Sequence, residues 1–134
     1  MKDKKILRVL VVEDDPSMQA LLQYLLKPYF ELDLVESIDE ALVAATRQRF
    51  DLFVLDIDFH EQRTGVDLLG ALRQMEAYDA TPAVACTSYD RQSDTDHFLS
   101  RGFDNHLGKP FTREQLFEAI DTTLARVPDL PAAA

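Results

Sequence analysis

Two kinds of apolar pattern alternate along the chain: short unbroken runs, and longer stretches in which apolar residues recur every three or four positions. Leu52-Phe53-Val54-Leu55 is a run of the first kind, bounded by Asp51 and Asp56. Four consecutive apolar residues with β-branched and aromatic side chains predict a strand buried on both faces, as in the middle of a parallel sheet. Ile6 to Val12, apolar except for Arg8, predicts another strand. Three shorter ones are predicted at Leu32 to Val35, Pro82 to Cys86 and Asp104 to Leu107.

The stretches between them carry helical spacing. Asp15 is placed to cap, and Pro16 to open, a helix on Met18, Leu21, Leu22, Leu25 and Leu26 that Pro28 closes. Ser37 and Glu40 have the spacing of a capping box, ahead of Ile38, Ala41, Leu42 and Ala45, with an end near Gln48. Val66, Leu69, Leu72 and Met75 predict a helix from about Val66 to Tyr78. The fourth helix, Arg91 to Arg101, has only Phe98 and Leu99 as strong apolar residues, so it is expected to be the most exposed and mobile. Thr112 to Gln115 is a further capping box, opening a last helix on Leu116, Phe117, Ile120, Leu124 and Val127.

Five strands alternating with five helices, at short loop lengths, define an α/β domain. Right-handed crossovers then put helices on both faces of a parallel sheet, a doubly wound arrangement. One domain is expected over residues 1–127, with 128–134 as a C-terminal tail or the start of a linker.

Composition narrows the class. A net charge of -10 argues against nucleic acid or an anionic membrane as a direct ligand and favours cations and basic protein surfaces. The single cysteine, Cys86, excludes an intramolecular disulfide and a cysteine-based zinc cluster. No 18-residue apolar run or signal-peptide pattern is present, so the expected location is cytoplasmic. An acidic loop, rather than a glycine-rich one, follows the first strand, which disfavours a nucleotide phosphate there.

Candidate chemistry gathers at the C-terminal ends of the strands. In the order 2-1-3-4-5, strands one and three are neighbours, which brings Asp14 and Asp15 beside Asp56. Three close carboxylates repel one another unless a cation neutralises them, and Mg²⁺ suits a site of few carboxylates, a backbone carbonyl and waters. Glu13 and Asp58 add charge nearby. The competing reading is an acidic loop that faces water. Thr87 ends the fourth strand and Lys109 the fifth. Lys109 as a plain salt bridge and Thr87 as a turn residue are the competing readings. Metal, ammonium and hydroxyl together look like a cradle for a phosphoryl group, which an Asp56 oxygen would attack to form an acyl phosphate. Pro110 stands where a cis bond would turn the Lys109 amine inward.

These residues carry a resemblance. Val11-Val12-Glu13-Asp14-Asp15, Asp51 to Asp56, Thr87-Ser88 and Gly102 to Phe111, in this order and spacing, resemble the receiver domain of two-component response regulators over Arg8 to Arg126. The resemblance implies a flavodoxin-like (α/β)5 sandwich. It also implies that Asp56 takes a phosphoryl group from a histidine kinase or histidine phosphotransfer protein. Mg²⁺ would be held by Asp14, Asp15, Asp56 and the Asp58 carbonyl, while Thr87 and Lys109 would bind the phosphoryl oxygens. Output would pass through a face of the fourth helix, fifth strand and fifth helix, and no reaction on a separate small molecule is expected. The chain departs from the family in three places: Phe59-His60 replaces the usual proline-containing loop, Ser88 follows the threonine, and His106 stands where a tyrosine or phenylalanine is usual. Two other readings use the same topology. An Asp56-nucleophile phosphohydrolase gains support only from Asp58, and a flavin-binding electron carrier is disfavoured by the acidic first loop.

Overall fold

A computed structural model describes residues 6–59, 61–88 and 92–126. Its elements run β1 (Arg8–Val12), α1 (Pro16–Leu26), β2 (Glu31–Val35), α2 (Ile38–Arg47), β3 (Leu52–Asp56), α3 (Gly65–Arg73), β4 (Ala83–Thr87), α4 (Gln92–Ser100), β5 (Asn105–Gly108) and α5 (Arg113–Ala125). All strand pairs are parallel and the order is β2-β1-β3-β4-β5, as expected. The first residue of the predicted fourth helix (Arg91), the last apolar position of the fifth (Val127), His60 and the tail 128–134 lie outside the described residues.

Why the central runs are apolar throughout follows from the pleat. Successive side chains of a strand point to opposite faces. Leu52 and Val54 enter one core with Val9, Val11, Leu22, Leu26, Leu116 and Ile120, between the sheet and the α1/α5 layer. Phe53 and Leu55 enter the other with Leu10, Val12, Ile38, Ala41, Leu68 and Leu72, beneath α2 and α3. Each of the five residues of β3 is buried, so Asp56 ends a strand that is covered on both sides. Among the described residues, no helix is long and apolar enough to cross a membrane.

Local signals start the helices where the sequence places them. The Asp15 side chain accepts from the Ser17 N–H with Pro16 in the first turn, and Thr112 and Gln115 cap α5 reciprocally. Thr64 and Asp67 form a further reciprocal box, at α3. In α4 only Phe98 is buried, and Leu99 is 44% exposed.

The third helix is shorter than its periodicity predicts. It stops at Arg73, the chain becomes extended at Met75, and a single 3₁₀ turn covers Glu76–Tyr78. Tertiary contacts override the pattern here. The Tyr78 hydroxyl reaches across to the Ala45 and Gln48 carbonyls (2.8 and 2.7 Å) at the end of α2, and its ring meets Phe53 edge-on. The Arg73 guanidinium donates to the carbonyls of Tyr78 and Thr81, which ties the turn down.

Candidate functional site

The ends of β1, β3, β4 and β5 converge on one cleft. Asp56 is the last residue of β3 and only 3% exposed. Glu13 follows β1 directly and is 2% exposed. Carboxylate oxygens of Glu13, Asp14 and Asp56 all lie within 4.8 Å of one another. The Lys109 Nζ donates to Glu13 Oε2 and to Asp56 Oδ1, each at 3.0 Å. The Lys109–Pro110 peptide bond is cis. Thr87 is fully buried at the end of β4, and its hydroxyl donates to Asp58 Oδ2 at 3.2 Å. The Asp58 N–H donates to Asp56 Oδ1 at 3.3 Å.

The structure brings Glu13 and Asp14, rather than Asp14 and Asp15, together with Asp56. Asp15 is exposed and outside the cluster; its carboxylate caps α1, and its own N–H donates to Glu13 Oε1 at 3.2 Å. Glu13 takes the inward position beside Lys109. Asp15 precedes Pro16, the first residue of α1, and so stands at the cap position. Asp58 comes into the site through its side chain as well as its backbone, and that side chain is exposed to solvent. Gln19 was not foreseen: its amide donates to the Glu13 carbonyl at 2.6 Å and pins the β1–α1 turn from the first turn of the helix.

Burial sets the electrostatics. Desolvation pushes the carboxyls of Glu13 and Asp56 above the usual carboxylate range, although hydrogen bonds from Lys109 pull both back. Burial also acts against the charge of Lys109, but its bonds to Glu13 and Asp56 outweigh it and raise the amine's pKa. One ammonium shared between two buried carboxylates, with a third beside them, leaves the cleft short of positive charge. The donors are all oxygen, so the set fits a hard divalent cation.

His106 lies off this cleft. Its ring is half-buried and stacks on Phe98 at 5.8 Å with 21° between the planes, with Nδ1 3.4 Å from the Thr95 hydroxyl.

Fold and cleft together define a class: a doubly wound domain that presents a buried carboxylate, an ammonium and an acidic pair at the C-terminal end of its sheet, equipment for accepting a charged group. Residues 9–121 match the response regulator receiver domain, and the chain belongs to that family. It is therefore a phosphoacceptor module of two-component signalling rather than an enzyme acting on an external substrate, which removes the phosphohydrolase reading.

Over 123 residues the chain is 32% identical to an uncharacterized 14.6 kDa protein of Leptolyngbya boryana, covering 90% of this chain and 93% of that one. Curated transcriptional regulators of similar identity are longer, and the chain spans 38% of one from Pseudomonas aeruginosa and 52% of another from Rhizobium meliloti. Among solved structures it is similar to the chemotaxis response regulator CheY4 of Vibrio cholerae, with a TM-score of 0.84 and 26% identity over 90% of this chain and 100% of that one. It is also similar to the receiver domain of sensor histidine kinase PA1611 from Pseudomonas aeruginosa, with a TM-score of 0.78 and 27% identity over 89% of this chain and 98% of that one. That structure has a magnesium ion coordinated in its active site cleft.

Proposed function

We propose that Asp56 is the phosphoacceptor and that its partner is a phosphohistidine on a histidine kinase or histidine phosphotransfer protein. The observation that carries the reading is the Asp56 carboxylate: buried at the end of the central strand, 3.0 Å from the Lys109 amine and clustered with Glu13 and Asp14. An Asp56 oxygen attacks the phosphorus; the new P–O bond forms as the P–N bond breaks, and the electron pair leaves on the imidazole nitrogen. Lys109 holds the attacking carboxylate in place and offsets the charge that gathers on the phosphoryl oxygens. The Thr87 hydroxyl supplies a hydrogen bond to one of those oxygens.

Glu13, Asp14 and Asp56 are the carboxylates that would hold Mg²⁺, with the Asp58 backbone carbonyl, and Asp15 serves the helix instead. When bound, the cation supplies the positive charge that lets one more anionic group enter. The magnesium ion in the similar histidine-kinase receiver supports this choice of metal.

The receiver unit is taken to span residues 1–127, with 128–134 as tail or linker. Output is assigned to the face of α4, β5 and α5, on which β5 and α5 line a groove of about 420 Å³ with Asn105, His106, Gln115, Glu118 and Thr122.

Phosphotransfer tests the reading. A histidine phosphotransfer protein carrying labelled phosphate should pass the label to this chain in Mg²⁺ and retain it in EDTA. Retention under both conditions across a panel of donors would contradict the assignment.

A further inference from the structure

The hydroxyl that the phosphoryl group needs is already engaged. Thr87 is fully buried, and its hydroxyl donates to the Asp58 carboxylate at 3.2 Å. A hydroxyl has one proton and serves one acceptor at a time. Asp58 is anchored for this contact by its N–H, which donates to Asp56 Oδ1 at 3.3 Å. Lys109, the other donor of the cleft, is divided between Glu13 and Asp56. An internal carboxylate oxygen thus takes the hydrogen bond that a phosphoryl oxygen on Asp56 would take.

We infer that the Asp58 side chain is an internal competitor of the phosphoryl group: it holds the Thr87 hydroxyl in the unphosphorylated protein and must leave for that hydroxyl to close on the phosphoryl oxygen. The inference rests on the reading of Asp56 as phosphoacceptor. A phosphoryl group brings roughly -1.5 to -2 charges within two residues of the Asp58 carboxylate, so it repels the side chain as well as claiming its donor. Asp58 is exposed and can turn into water when displaced. Its backbone carbonyl, the group assigned to the metal, is unchanged by substitution of the side chain. Asp58 is on this account a positioning residue that sets how readily the phosphorylated state forms.

The probe is beryllofluoride, a phosphoryl analogue, titrated at saturating Mg²⁺ and followed by fluorine NMR. Wild type should bind and Asp56→Asn should not; failure of either result overturns the phosphoacceptor reading and the inference with it. Asp58→Ala should bind about tenfold more tightly than wild type, the scale of one hydrogen bond to a charged group. Asp58→Asn should fall between them, because a neutral amide oxygen is the weaker acceptor. In a Thr87→Ala background most of the Asp58→Ala gain should disappear. Unchanged or weaker binding by Asp58→Ala, with wild type binding normally, overturns the inference alone. An equal gain with and without the Thr87 hydroxyl would also overturn it, by showing that Asp58 acts through charge only.

Discussion

Lys109 carries the charge balance of the cleft, since its Nζ stands 3.0 Å from both Glu13 and Asp56. Lys109→Ala should slow phosphoryl uptake by about 10²-fold, the usual cost of removing one preorganised donor, and the rate of adduct formation from acetyl phosphate measures it. The raised carboxyls of Glu13 and Asp56 have a pH consequence with a definite sign. Between the ordinary carboxylate range and their raised values, the folded chain keeps protons that the unfolded chain has released. Each therefore contributes stability to the metal-free protein at low pH that is lost as pH rises through that window. Lys109, with its pKa raised, contributes stability that is present at neutral pH and lost only as pH rises through the alkaline range. Mg²⁺ needs the carboxylates ionised, so calorimetric titration should find its affinity falling with decreasing pH already above the range where ordinary carboxylates titrate. Residue types and strand-end positions made Asp56, Thr87 and Lys109 legible in the sequence. What was not legible was the choice among three consecutive acids. It depends on whether a side chain turns into the sheet end or back to cap α1, and Glu13 and Asp15 divide those roles by backbone direction rather than by chemistry.

At the scale of elements, α3 is seated directly on the end of β3. The Gly65 N–H donates to the Ile57 carbonyl at 3.0 Å, and a Cβ at Gly65 would run into the Asp56 carbonyl oxygen. Backbone cannot rotate aside as a long side chain can. Gly65→Ala should destabilise the protein by about 1–3 kcal/mol, the range for overpacking, read as a lower denaturant midpoint at unchanged slope. Gly70, whose added Cβ would meet nothing within 4 Å, is the control: Gly70→Ala should be neutral or stabilising. The strands and caps were readable because they depend on local patterns: unbroken apolar runs, Pro16 after Asp15, Thr112 with Gln115. The end of α3 was not, because Leu72 and Met75 keep helical spacing. What halts the helix is Tyr78 reaching α2, a contact between residues distant in sequence, while Arg73 holds the turn locally.

Among the described residues, the sheet carries an apolar core on each face and its clustered acids at the C-terminal end of its strands. Alternation along β3 sends Leu52 and Val54 to one core and Phe53 and Leu55 to the other, leaving Asp56 as the first residue past the apolar run. The net charge of -10 and the shortage of positive charge in the cleft point the same way, toward a site completed by a cation before it accepts an anion. The most direct test is intact mass after incubation with acetyl phosphate and Mg²⁺. The account predicts a single phosphoryl adduct on the wild-type chain, released by hydroxylamine as an acyl phosphate must be, and none on Asp56→Asn. An undiminished adduct on Asp56→Asn would contradict it.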